Sequence, residues 1–273
     1  MTSPTTGPTR RRRLRPFGDG WLVRLSGLAV LVFLALPLVA LVGSSVNPTP
    51  LVQFPPSGFS LRWYQTVLSS NEWLVSIQLS LLVAALTIPT VVVLATLAAY
   101  GLHRGRPKPL LTSFFMSPLI VSEVMIGLGL LTYLQGSGVL NTITGLWLAH
   151  TLVTLPFAIR TVSISVHGLD PMLERAGQSL GAGPLRVFFT VTLPQLRPGI
   201  VAGGVFAGVL SLGEVAVSTF VSGPNTTTVP LRIMSAVQFE LDPSAAAVST
   251  LLMGLSIAVM LLLSKWVDLS KAF

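Results

Sequence analysis

Between Leu74 and Leu102 the chain carries no Asp, Glu, Lys or Arg. At 1.5 Å per helical residue, a run of that length is enough to cross the roughly 30 Å of bilayer hydrocarbon. Five more apolar runs of comparable character follow the same logic: Trp21 to Val46, Leu110 to Leu134, Gly145 to Val162, Gly199 to Val221 and Ala245 to Val267. The expected fold is therefore an all-α integral membrane bundle of six transmembrane helices. Composition agrees, because 10% charged residues is far below the roughly 25% of a soluble domain. Pro89, Pro118 and Pro156 fall inside these runs, where a bundle can re-satisfy the freed carbonyls and a kink is expected. The chain has no Cys, which excludes disulfides and thiolate metal sites.

The net charge of +8 is topological. With the N-terminus inside, 15 of the 17 Lys and Arg fall on the cytoplasmic side: Arg10 to Arg13, Arg15, Arg24, Arg104, Arg106, Lys108, Arg160, Arg175, Arg186, Arg197, Lys265 and Lys271. Only Arg62 and Arg232 lie opposite, so the positive-inside rule places both termini in the cytoplasm. The basic segment before Trp21 is an orientation signal, not a nucleic-acid site, since it abuts a span and has no domain-like context. The first apolar run is too long for a cleaved secretory signal and reads as an uncleaved anchor. Residues 1–20, rich in Pro, Thr and Arg, read as a disordered cytoplasmic tail, and residues 21–270 as the membrane domain.

One cytoplasmic connection, residues 167–198, is unlike the rest. Asp170 and Pro171 are placed as N-cap and first helical residue, and Met172, Leu173, Ala176 and Leu180 then form an apolar stripe. Gly181 is positioned to end that helix. After a turn at Gly183 and Pro184, a second short helix carries Val187, Phe188 and Val191 until Pro194 stops it. Aliphatic and aromatic side chains on an inward-facing loop need a partner to bury them. They can pack on the chain's own spans, on a separate cytoplasmic protein, or on both through opposite faces.

The stretch from Leu173 to Ile200 resembles the EAA loop of ABC importer permeases: Glu-Ala-Ala, three residues, Gly, nine residues, then Ile-x-Leu-Pro. Arg175, Ala176 and Gly177 stand at the Glu-Ala-Ala positions, and Gly181, Val191, Leu193 and Pro194 match the remainder with the spacing intact. FPPSGFSLRWY (Phe54 to Tyr64) and SLGEVAVSTFVSGPNTTTVPLRI, from Ser211, resemble the spermidine and putrescine branch of that family. The resemblance implies a type I ABC importer permease with a cytoplasmic coupling helix made of Leu173, Glu174, Arg175, Ala176, Gly177, Leu180, Gly181, Val191, Leu193 and Pro194. It implies a second permease, identical or related, two cytoplasmic ATPases that hold the ATP and Mg, and an extracytoplasmic substrate-binding protein. The chain departs from the pattern at Arg175, where the motif has its acid. Glu174 is adjacent but about 100° away around a helix, so what remains of the coupling contact is mostly apolar and shape-based.

Catalytic chemistry has little to stand on. None of the three Lys follows a Gly, so there is no phosphate loop, and the three His, at 103, 150 and 167, lack zinc spacing. His150 reads as an interhelical hydrogen-bonding residue. Glu123 and Glu214 are the intramembrane carboxylates, and an unpaired one is costly in hydrocarbon. Ser211, Glu214, Ser218 and Ser222 fall at helical spacing on one face, which would line water. Glu214 is then expected to assist a cationic amine, with Glu123 secondary. Glu123 could instead be a protonated or capped residue bonding a neighbouring helix, and Glu214 could pair with a buried donor or a partner subunit. The competing function is a self-sufficient secondary transporter or channel that uses Glu214 as an ion or proton site.

Overall fold

The computed structural model describes residues 21–49, 53–104, 109–240 and 243–266, and every regular element among them is helical. The expected tail 1–20 with the basic residues at 10–13 and 15, the basic residues at 106, 108 and 271, and the end of the last expected run at 267 lie outside the described residues.

Helix α1 (Trp21–Ser45) is followed by the short α2 (Arg62–Ser69) and by α3 (Asn71–His103), which is capped by Ser70 accepting from the Trp73 N–H. The third apolar run is not one helix. It divides into α4 (Pro109–Met116), a 3₁₀ turn Ser117–Leu119 containing Pro118, and α5 (Glu123–Leu134), with a 97° bend between the two arms. Pro118 lies at the break, whereas α3 and α6 (Ile143–His167) continue through Pro89 and Pro156. The chain then forms α7 (Pro171–Ser179), α8 (Pro184–Val187), a π-helical segment Phe188–Thr192, and α9 (Leu193–Gln195). Next come α10 (Arg197–Gly213), α11 (Ser218–Val221), α12 (Val229–Ser235), a π-helical segment Ala236–Glu240, and α13 (Ser244–Trp266).

Among the described residues three helices, α1, α3 and α6, are long and apolar enough to cross a membrane as single rods. Two further crossings would be bent pairs: α4 with α5, and the Pro184–Gln195 segment with α10 at 69°. The six apolar runs therefore map onto α1, α3, α4 with α5, α6, α10 with α11, and α13.

The core is the mutual packing of α3, α6 and α10, centred on Val91, Ala95, Ala158, Ile159, Val162 and Ala207. Glycines set that packing distance. A Cβ on Gly199 would lie 2.5 Å from Ser165 Oγ and 3.2 Å from Val162 Cα. One turn on, a Cβ on Gly203 would touch Ala158, while Gly204 and Gly208 face Val92 and Ile88 of α3. Small residues on two faces let α10 approach both neighbours closely, which in lipid is a main source of helix association. A second core joins α2, the start of α3, α12 and α13 through Trp63, Trp73, Val229 and Val248. Trp73 Nε1 donates to Ser244 Oγ at 3.1 Å, and Trp63 Nε1 to the Asn47 carbonyl at 2.8 Å. Helix α1 packs on α13 and leaves most of its apolar surface outward, with Phe33 72% exposed. Such a surface suits hydrocarbon, which solvates it without penalty.

Candidate functional site

The fifth apolar run breaks where its carboxylate lies. Helix α10 ends at Gly213, and Glu214 turns the chain with an extended ψ of 116°. Its carboxylate accepts the Val217 N–H at 2.8 Å, which holds the turn leading into α11. Ser211, Glu214, Ser218 and Ser222 therefore do not share one continuous helix face. A hydrogen bond from backbone to side chain has replaced the helical ladder there, the local competition that polar side chains offer within helices. Glu214 itself is only 6% exposed.

The break is fastened from the core. Ser211 Oγ, before it, lies 2.8 Å from His150 Nδ1, and Ser218 Oγ, after it, lies 3.0 Å from His150 Nε2. Hydroxyls donate or accept equally, so either imidazole tautomer satisfies both. His150 is fully buried on α6, and its interhelical hydrogen bonding is as the sequence suggests. The two serines thus point at α6, not with Glu214. Ser222 Oγ is buried without a hydrogen-bond partner among the described residues. Glu123 is the first residue of α5, directly after the 97° bend, and is exposed, not enclosed within a span. Helices α5 and α11 meet where Gly127 approaches Phe220 and Val217, with space for no side chain at position 127.

Residues 167–198 form the second candidate region. The Asp170 carboxylate caps α7 by accepting the Met172 N–H at 2.8 Å, and Gly181 takes φ +82° just beyond the helix end. That conformation favours glycine because it lacks a Cβ. Pro194 does not stop the second helix, which runs on to Gln195. A proline removes an N–H donor, and the π-helical stretch Phe188–Thr192 just before it already shifts the bonding from i+4 to i+5. Leu173, Arg175, Ala176, Leu180 and Gly181 are exposed, while Glu174, Gly177, Val191, Leu193 and Pro194 are half-buried. The aromatic pair is divided: Phe188 packs on Tyr100 with ring centroids 5.0 Å apart, and Phe189 is 61% exposed.

Glu174 turns inward. Its carboxylate accepts Thr192 Oγ1 at 2.6 Å and the Tyr100 hydroxyl at 3.1 Å, and pairs with Arg104 at 3.4 Å. Arg104 also bonds to the Tyr100 hydroxyl. One side chain therefore ties α7 both to the π-helical segment and to the C-terminal end of α3. Sequence reasoning missed Tyr100 and Arg104. The available signal was their i, i+4 spacing at the end of α3, which puts both on one helix face. The same end of the bundle holds His103 and His167, with ring centroids 4.8 Å apart. At the opposite end of α3, roughly 50 Å away for 33 residues, Arg232 bonds Glu72 and lies over Trp73.

This arrangement has relatives. The profile of the family described as "Binding-protein-dependent transport system inner membrane component" matches residues 56–271. The putrescine transport system permease protein PotI of Escherichia coli K12 is 35% identical over 231 residues, covering 81% of this chain and 82% of that one. The spermidine/putrescine permease PotC of the same strain is 28% identical over 85% of this chain and 89% of its own. The molybdenum permease ModB, also from that strain, is 32% identical over 73% of this chain and 95% of its own. In three dimensions the chain superimposes on a bacterial ABC transporter that imports the acidic polysaccharide alginate, with a TM-score of 0.70 at 12% identity, covering 92% and 99% of the two chains. The alginate transporter in complex with its pentasaccharide-bound periplasmic protein gives a TM-score of 0.68 at 16% identity, covering 90% and 93%. These matches lend no support to a self-sufficient secondary transporter. The relatives are transport permeases and not enzymes. The chain belongs to the binding-protein-dependent transport system inner membrane component family and is the permease component of an ABC importer.

Proposed function

We propose that this permease supplies half of the translocation pathway for a small cationic amine of the polyamine class. The observation that carries the reading is Glu214, a buried carboxylate at a break in an apolar helix that no basic side chain among the described residues neutralises. Among the described residues the ion pairs are Arg104 with Glu174 and Arg232 with Glu72. A backbone N–H on Glu214 offsets only part of the cost of a charge in low dielectric, and a cationic solute would supply the remainder. The names of PotI and PotC point to the same class of cargo. In this reading Glu214 and Ser222 line the pathway, Glu123 adds charge at its edge, and Ser211 and Ser218 act through His150 to hold the break open.

Residues 167–198 dock a cytoplasmic ATPase that holds ATP and Mg, and a second permease, another ATPase and an extracytoplasmic binding protein complete the assembly. The membrane is the bacterial inner membrane, with both termini cytoplasmic and residues 1–20 a tail outside the 21–270 permease domain. The clustering of Arg104, His103, His167 and the 167–198 loop at one end of α3, with Arg232 at the other, supports that orientation.

The test is uptake of labelled putrescine by the complete transporter in proteoliposomes. Glu214→Gln keeps the shape and removes the charge, so uptake should fall at least tenfold, the effect of losing about 1.4 kcal/mol or more from a charge-assisted contact, while the ATPase remains bound. Unchanged uptake would overturn the site. Uptake of molybdate in place of putrescine would overturn the cargo class.

A further inference from the structure

Helix α7 presents its two sides very differently. Successive residues are 100° apart, which puts Glu174 and Gly177 on one side and Met172, Arg175, Ala176 and Ser179 on the other. The first pair is half-buried, and a Cβ on Gly177 would come within 3.2 Å of Val187. The second group is exposed. Leu180, at 89%, Leu185, at 74%, and Phe189 are exposed as well in the same loop. The loop's exposed side is largely apolar, and the charge that α7 contributes to it is Arg175, with Arg186 following in α8.

The charge is unbalanced. The acidic residues between 167 and 198 are Asp170 and Glu174. Asp170 caps its own helix, and Glu174 is held by Thr192, Tyr100 and Arg104 on the far side. Neither Arg175 nor Arg186 makes an ion pair among the described residues. The resemblance implies that the coupling helix enters a groove on the ATPase, and a guanidinium carried into it without a counter-charge would cost more than the surrounding apolar contacts return. The surface can be buried only if the partner brings a carboxylate.

Resting on the reading that this loop docks an ATPase, we propose that the ATPase presents an acidic side chain to Arg175. The polarity of the contact is then the reverse of the one the motif's usual acid would make. Planar guanidinium and carboxylate pair through two parallel hydrogen bonds, so the contact selects the cognate ATPase and rejects one whose groove is basic at that point.

The experiment measures the affinity of the purified permease for its cognate ATPase in a neutral detergent at several salt concentrations. Arg175→Gln should weaken binding about tenfold, and Arg175→Glu at least a hundredfold by setting like charges together. Changing the groove's acidic residues to Lys one at a time should restore binding of the Arg175→Glu permease at one position and no other. Binding within twofold of wild type for Arg175→Glu overturns the proposal, as does a loss that no single exchange restores. So does a loss seen only in vesicles of phosphatidylglycerol and absent in detergent, which would assign Arg175 to a lipid headgroup. Leu180→Asp separates the two levels: if it leaves binding intact, the docking reading itself fails, whereas its loss with Arg175→Glu unaffected overturns only the charge assignment. Unaltered amide exchange in α7 of the Arg175→Glu chain confirms that the helix still forms.

Discussion

Replacing Glu174 with Ala should loosen α7 from the bundle without unfolding it. The carboxylate, with its side chain 18% exposed, holds Thr192 at 2.6 Å and Tyr100 at 3.1 Å. Hydrogen bonds to a charged acceptor contribute about 1.5 kcal/mol each at the low end of their range. The pair with Arg104, whose side chain is 48% exposed, adds under about 1 kcal/mol after solvent screening and is left out of the sum. Loss of the two hydrogen bonds lowers the free energy of locally opening α7 by about 3 kcal/mol, or roughly 100-fold in the open population. The assay is amide hydrogen exchange in detergent micelles, read at Leu180 and Gly181, whose N–H groups bond to the Ala176 and Gln178 carbonyls. Exchange there should accelerate about 100-fold in Glu174→Ala and about tenfold in Tyr100→Phe, which removes one of the two bonds. Amides around Val91 and Ala95, in the α3 core, should not change. Acceleration of less than threefold at α7, or an equal change throughout the chain, would refute the tethering role.

Two further substitutions test the core. His150→Ala removes two hydrogen bonds, each worth about 0.6 kcal/mol between membrane helices, and leaves a cavity costing about 2 kcal/mol. Thermal unfolding in detergent should therefore show a loss of about 3 kcal/mol, and a loss below about 1 kcal/mol would mean that the break at Glu214 holds without its clasp. Gly199→Ala sets a methyl against Ser165 and the Val162 backbone and should cost about 1–3 kcal/mol in the same measurement, whereas Gly129→Ala, with no atom within 4 Å of the added carbon, should cost nothing.

The local features of residues 167–198 were legible because they depend on neighbours in sequence. Asp170 followed by Pro171 marks a helix start whether or not anything packs on it, and Gly181 marks the end through its freedom at positive φ. The motif spacing identified the family for the same reason, since it is a property of one short segment. Glu174 was not readable in this way. Its neighbour Arg175 stands at the motif's acidic position, but the three groups that hold Glu174 are 18, 74 and 70 positions away, and only the packing of α7 on α3 decides that it faces inward.

Hydropathy determined that the chain lives in lipid, since transfer of a side chain depends on what it is and hardly on its direction. For that reason it could not show the bends. The helices on either side of Ile120 to Ser122 are equally apolar, so hydropathy does not mark the 97° turn there; Pro118 announces a kink, as Pro89 and Pro156 do in helices that stay continuous, and does not give its size. At Glu214 the sequence is compatible with an unbroken helix, and helical spacing placed Ser211, Glu214, Ser218 and Ser222 together. The tertiary structure chose otherwise, because His150 on α6 offers both serines a better partner than water and the Glu214 carboxylate can satisfy the N–H that the break exposes. The sequence by itself determined which segments enter the membrane. Where the fifth one turns inside it was decided with the help of hydrogen bonds between residues more than 60 positions apart, whose partners exist only once α6 and α10 have packed.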